Sequence, residues 1–326
     1  MKMNMIMKRF IGILTTMIIG LNLFSQQTLN DAIQLYNEGI DVINTNPDTA
    51  LLKFSKCVEI CDIIGPEADS TKMIAKGQIA LCHYKIGLNQ FKQEKYEDAI
   101  NSLNKAKEEA IEGNNIDLKD KCNSYIPKLY YQLSTDNYKD KAFDKAIENI
   151  NKAIEIDPTY SKAYYLKALV LEKQNKKDEM LTIIDKAIET SLQINDTKTL
   201  EKANQKASVT YIEKGFELAK KNDYKNAIEL YKKALEYDKQ SVEANYQLAV
   251  AYNKIEDWAK AIESANKAIQ YEENNDTKRA RIYYELGTAY YKLNNIEMSC
   301  SSFKKAMFGQ FIEAAKYQIE KVVKCL

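Results

Sequence analysis

The sequence predicts an all-α fold built from repeated pairs of helices, and three observations carry that expectation. The stretch "NDYKNAIELYKKALEYDKQ", Asn222 to Gln240, is echoed by "EKYEDAINSLNKAKEEA", "KAFDKAIENINKAIEIDP" and "EDWAKAIESANKAIQYEE". Only 10 Gly and 4 Pro punctuate the 326 residues, while the good helix formers Ala, Lys, Glu and Leu abound. Apolar residues recur at three- and four-residue intervals, and the alternation of a strand is absent. A hydrophobic share of 45% suffices for a packed core.

The copies align on the fourth residue of "Tyr-x-x-Ala-Ile". The anchors are Ala99, Ala146, Met180, Ala227, Ala261 and Ser299. Seven residues later every copy has alanine: Ala106, Ala153, Ala187, Ala234, Ala268 and Ala306. Twelve residues earlier every copy is small: Gly87, Ser134, Ala168, Gly215, Ala249 and Gly287. A degraded earlier copy, shifted by one residue, lies at Tyr36, Gly39, Ala50, Phe54 and Cys57, making about seven repeats. Two helices approach to ~8 Å only where the contact lacks bulk, so the small residue belongs to a first helix and the alanines to a second. Larger residues four past the anchor, Leu103, Ile150, Ile184, Tyr231 and Phe303, fill the seam, and Ala265 leaves one such position small.

The segment "YYELGTAYYKLNN", Tyr283 to Asn295, together with "NAIELYKKALEYD", Asn226 to Asp238, resembles the two halves of the tetratricopeptide repeat. The resemblance covers roughly residues 31–309. It implies a right-handed superhelical solenoid at 26–309 and a terminal capping helix at 310–326, where an open-ended stack must cover its last apolar face. The chain departs from the pattern in places: only Pro158 fills the closing proline site, and Met180 and Ser299 replace the anchor alanine.

Anchor spacings run 47, 34, 47, 34 and 38 residues. The surplus of 13 over the 34-residue unit is expected as about two extra turns on each of two neighbouring helices. Gly113-Asn114-Asn115 and Asn195-Asp196 are the predicted turns, with Asn and Asp available as caps.

The N-terminus differs in character. Lys2, Lys8 and Arg9 precede an uncharged apolar run, Phe10 to Phe24, followed by Ser25 and two glutamines. This is the layout of a secretory signal peptide at 1–25, with the cut expected after Ser25; the alternative is an uncleaved anchor. The run is short of the ~20 residues that span a bilayer, so no membrane insertion is expected after cleavage. The whole resembles an exported bacterial protein, periplasmic or secreted. With 47 Lys+Arg against 46 Asp+Glu, the chain offers no footprint for nucleic acid.

A search for catalytic chemistry finds little. The single histidine, His83, occupies the aromatic packing site that Tyr130, Tyr164, Tyr211 and Tyr283 fill in other copies. Without a second histidine neither a Ser-His-Asp triad nor a His-rich metal site can be assembled. There is no phosphate-cradling Gly-Lys loop and no dinucleotide glycine fingerprint. Carboxylates alternate with lysines as on solvated helix faces. No metal, no cofactor and no enzymatic activity are expected. The six cysteines, Cys57, Cys61, Cys82, Cys122, Cys300 and Cys325, read first as small buried apolar residues. Export permits disulfides, and Cys57–Cys82 and Cys300–Cys325 both stay open, the latter with Cys325 ~10 Å beyond Cys300 if the last segment is a straight helix.

The resemblance places the first helix of each repeat on the concave groove. Fifteen residues before the anchor stand Tyr84, Tyr131, Tyr165, Ile212, Tyr246 and Tyr284. Seven before it stands lysine in every copy: Lys92, Lys139, Lys173, Lys220, Lys254 and Lys292. Tyrosine offers contact area at low entropy cost and lysine a charge for acidic groups or a chain terminus, so these two ladders are the candidate ligand-binding residues. Both residue types are also common family background. The expected function is a non-catalytic scaffold binding a protein or peptide. Two rivals are a structural subunit of an envelope or secretion assembly, bound through the convex face, and an enzyme using surface carboxylates.

Overall fold

A computed structural model describes residues 28–273 and 275–325. The signal peptide expected at 1–25 lies outside the described residues. These are helical from end to end, without a strand among them. They form two compact units, divided between Pro158 and Thr159.

The first unit holds three helical hairpins: α1 (Leu29–Val42) with α2 (Pro47–Ile64), α3 (Asp69–Lys92) with α4 (Tyr96–Glu112), and α5 (Ile116–Lys139) with α6 (Phe143–Ile156). The second unit holds four: α7 (Ser161–Lys173) with α8 (Lys177–Gln193), α9 (Thr197–Lys220) with α10 (Tyr224–Tyr237), α11 (Val242–Lys254) with α12 (Trp258–Tyr271), and α13 (Asp276–Lys292) with α14 (Ile296–Lys305). Within each unit, successive first helices also touch one another.

The seam residues meet as their sizes require. A Cβ on Gly215 would stand 2.5 Å from the Tyr231 ring, one on Gly87 2.8 Å from Leu103, one on Gly287 2.9 Å from Phe303, and one on Gly39 2.7 Å from Phe54. Ser134 and Ala168 occupy the same position in the copies that carry Ile150 and Ile184, and Ala249 in the copy that carries Ala265. Glycine thus faces every aromatic seam residue and Leu103, while β-branched isoleucine faces Ser134 or Ala168, so the volume on one helix compensates that on the other. The seam is buried throughout, and the Ala265 copy is completed by Ile282 and Leu286 from α13.

Six hairpins turn in the same way. The second residue past the first helix is left-handed, with φ between 59° and 65°: Glu94, Lys141, Asn175, Asn222, Glu256 and Asn294. The next amide returns to the helix, as Lys95 N to Gln90 O at 3.0 Å and Asp223 N to Leu218 O at 3.0 Å, which satisfies an orphan carbonyl. Asn114 and Asn195 repeat the device between hairpins. The predicted caps form: Asn115 Oδ1 accepts the Leu118 amide at 3.0 Å, and Asp196 Oδ1 that of Thr199 at 3.2 Å.

The extra residues are not shared evenly. First helices α5 and α9 have 24 residues where α7 and α11 have 13, whereas second helices α4 and α8 have 17 where α6, α10 and α12 have 14. The surplus is therefore three turns on the first helix and less than one on the second. The short repeats leave their second helix through an extended C-cap, Asp157 or Asp238, and a longer connection. The long ones replace that connection with the tight turn around Asn114 or Asn195. In α5 the joint shows: Pro127 lies inside the helix, at the register where Ser161 and Val242 begin α7 and α11. A proline suits a helix's first turn, so the standard helix starts there and the extension is fused before it.

Past α14 the chain runs through a 3₁₀ turn (Gly309–Phe311), a short helix α15 (Ile312–Tyr317) and π-helical turns (Gln318–Val323). Lys324 is left-handed, and the Cys325 amide returns to Ile319 O at 2.9 Å. This winding brings Cys325 back onto α14, where it forms a disulfide with Cys300, Cα–Cα 5.7 Å, rather than overshooting as a straight helix would. Cys57, Cys61, Cys82 and Cys122 are buried thiols in the cores of the first unit. Burial pushes the Cys82 thiol up to about 12 and that of Cys122 to about 11.

Candidate functional site

The ladder tyrosines are half-buried on the first helices, and several are engaged by their own chain. Tyr84 meets Tyr125 of the next first helix edge to face, centroids 6.1 Å apart. Burial pushes the Tyr84 phenol up. Tyr131 is likewise pushed up by burial, partly offset by a hydrogen bond from Thr135. Tyr165 lies on α7 and Ile212 on α9, both half-buried. Tyr246 carries the Arg281 guanidinium 4.4 Å from its ring centre, and Arg281 is held by Glu243 at 2.7 Å. Burial, then Glu285, pushes the Tyr246 phenol up to about 12. Tyr284 packs against Phe303 at 5.5 Å and against Phe311 of the C-terminal segment at 5.7 Å, with Gln318 Nε2 3.4 Å from its hydroxyl.

The lysines form the second row. Lys92, Lys139, Lys173, Lys220, Lys254 and Lys292 each lie in the last turn of a first helix, and all are exposed. A cation there complements the helix dipole, a structural reason for the ladder independent of any ligand. Lys139 pairs with Asp136 at 2.9 Å. Lys220 pairs with Glu217 at 3.2 Å and lies 4.5 Å over Phe216, and Lys292 lies 5.9 Å from the Trp258 ring centre. The fold thus sets half-buried aromatics in mid-helix and ammonium groups at the helix ends.

Two features escape a residue-by-residue reading. Asn253, one residue before Lys254, donates to Glu285 Oε2 at 2.8 Å and to the Glu285 carbonyl at 3.0 Å, locking α11 to α13. Burial pushes the Glu285 carboxyl up, and the Asn253 bond opposes that. His83 is largely buried on α3, with Nε2 3.5 Å from Glu109 Oε1, a long contact rather than a hydrogen bond. Glu109 occurs in a Lys/Glu-rich stretch that reads as solvent-facing and Glu285 in an aromatic one, and tertiary packing largely buries Glu285 and half-buries Glu109. The surface carboxylates at large behave as expected, pairing with lysines one turn away, as Glu148 with Lys152 at 2.7 Å and Glu263 with Lys267 at 2.6 Å. Among the described residues no helix is long and apolar enough to cross a membrane.

Paired helices, a small-residue seam and recurrent left-handed turns define a helical-repeat protein. Family models described as tetratricopeptide repeat match residues 127–160, 150–182, 242–275 and 280–307, and one described as TPR repeat matches 215–256. In these segments the chain is built of tetratricopeptide repeats. Similar solved structures include YrrB, a TPR protein with an unusual peptide-binding site, at 19% identity, covering 58% of this chain and 91% of that one with a TM-score of 0.35. They also include the TPR2AB domain of yeast Sti1 in complex with pHSP90, at 18% identity, 84% and 89% coverage and a TM-score of 0.32. Pseudomonas aeruginosa pilF matches at 15% identity, 61% and 99% coverage and a TM-score of 0.33.

Proposed function

We propose that the chain is a non-catalytic scaffold that binds an extended segment of a partner protein along its first helices and works outside the cytoplasm. The observation that carries this reading is the register of the second unit. There α7, α9, α11 and α13 are successive neighbours and present Tyr165, Ile212, Tyr246 and Tyr284 at one level, each half-buried. Aromatic groups already fixed by neighbours such as Arg281 lose little freedom on binding, which favours affinity. The exposed lysines at the helix ends, Lys173, Lys220, Lys254 and Lys292, suit acidic residues flanking the bound segment. Export is supported by the apolar run that follows Lys8 and Arg9, and by the Cys300–Cys325 disulfide, since such bonds persist in oxidising compartments.

Crosslinking capture with the mature chain in its own cells tests the binding reading. Tyr165→Ala combined with Tyr246→Ala should weaken partner recovery by about 30-fold, as loss of buried aromatic anchors does. Lys186→Ala with Lys267→Ala, both exposed on second helices, should leave it unchanged. The opposite pattern, with both variants folded by thermal unfolding, transfers the site to the second helices. Mass spectrometry of the protein from envelope fractions tests export: a chain beginning near Gln26 is expected, and an intact Met1–Ser25 segment would make it membrane-anchored.

A further inference from the structure

We infer that a cavity in the first unit, between α2, α3 and the end of α4, is a binding site for a small amphiphilic primary amine. The cavity measures about 540 Å³, in the range of pockets that hold drug-sized ligands. Its walls are largely apolar, with Val58 from α2, Met73 and Gly77 from α3 and Ala110 from α4. It opens where α3 and α4 run on beyond the tight seam at Gly87 and Leu103. A Cβ placed on Gly77 meets nothing within 4 Å, so the glycine leaves room that no neighbour fills.

Two carboxylates line the cavity, Glu109 and the exposed Glu112, and the half-buried Glu109 gives it its particular chemistry. Glu109 lines it, and Oε2 is buried without a hydrogen-bond partner among the described residues. The Glu109 side chain keeps 32% of its exposure, so the carboxyl is only partly withdrawn from water, and a ligand cation beside it supplies the charge partner it lacks. The chain does not supply it. On α3, His83 Nε2 is 3.5 Å from the other oxygen, and burial, then Lys105, depresses the imidazole, which disfavours its cationic form. Lys76 lines the cavity from an exposed position and makes no ion pair with Glu109. On α4, Glu112 and Glu108 disfavour the charge on Glu109 and Lys105 favours it. The groups contributed by α2 and by the start of α5, Val58 and Asn115, are uncharged. Burial above all pushes the Glu109 carboxyl up to about 7. An apolar chain on the walls and an ammonium beside the Glu109 carboxyl would satisfy both halves of the site, whereas a carboxylate would be repelled.

Calorimetric titration of the full chain with n-octylamine, octanol and octanoate at pH 6, 7 and 8 tests this. At pH 8 octylamine should bind about tenfold tighter than octanol, and octanoate more weakly than either. The preference for the amine should shrink by about tenfold toward pH 6 as Glu109 takes up a proton, since octylamine stays charged throughout. Glu109→Gln should abolish that preference and its pH dependence while octanol still binds. Gly77→Leu should fill the space and remove all three, with circular dichroism showing the helices retained. Equal affinity for amine and alcohol, a preference that survives Glu109→Gln, or no octylamine binding at all would overturn the inference.

Discussion

Complementary volume is the rule at the level of single residues. Gly215 and Tyr231 meet in the seam of α9 and α10, and the Tyr231 hydroxyl is buried without a hydrogen-bond partner among the described residues, its pKa pushed up to about 12, mainly by burial. Gly215→Ala should cost about 1–3 kcal/mol through overpacking. Adding Tyr231→Ile should restore most of that, because Ala168 with Ile184 is the same combination in another copy; denaturant unfolding of the single and double variants reads the coupling. Glu109 gives a pH dependence of defined sign. Its folded pKa of about 7 exceeds its usual 4.5, so between these values the folded chain holds a proton that the unfolded chain has lost. Stability should therefore fall as pH rises from about 4.5 to about 7 and level off above. Glu109→Gln removes this slope, so the variant should gain on the parent with rising pH in chemical unfolding at pH 5, 6, 7 and 8.

At the scale of the element, the long first helices are standard helices with three turns added before them. Pro127 marks the joint in α5, and there the helix has no amide to offer the Asn123 carbonyl one turn back. The Asn123 side-chain oxygen is also buried without a hydrogen-bond partner among the described residues. The equivalent position in α9, Ser208, leaves the backbone ladder whole. Pro127→Ala should stabilise the chain by about 1–3 kcal/mol, seen as a higher midpoint in denaturant, with slower hydrogen exchange in 116–126. No change in either would mean that burial of the proline ring offsets the missing bond.

For the whole molecule, each repeat buries its apolar face only against the next, so an end of the stack must be covered by something else. After α14 the C-terminal segment does this, with Phe311 on Tyr284 and a disulfide closing a 25-residue separation. In the loop-entropy account such a bridge contributes about 3 kcal/mol. Reduction, or Cys325→Ser, should free the segment from residue 309 onward. Limited proteolysis should then cut within 309–325 while residues before α13 stay protected. Identical cleavage patterns in the oxidised and reduced states would show that packing alone retains it.

The repeat, its helix pairing and its small-residue seam were legible in the sequence, because they follow from periodicity and side-chain volume. Those properties belong to residues at fixed offsets, and Gly215 announces Tyr231 sixteen positions on. The turns at Asn114 and Asn195 were legible too, since asparagine accepts a left-handed backbone, whereas Glu94, Lys141 and Glu256 take the same conformation without a residue type that announces it. The two ladders were legible as positions but not as environments. That Tyr246 lies beneath Arg281, that Tyr284 is covered by Phe311, and that the lysines cap helix ends all depend on which repeats and segments adjoin. Which cysteines pair was decided by the winding of residues 309–325, where π turns and a left-handed Lys324 shorten the path in a way no helical count foretells. Glu109 is the clearest case. In sequence it is one of many glutamates among lysines, and its half-buried place in the cavity that Gly77 also lines arises only where two extended helices part.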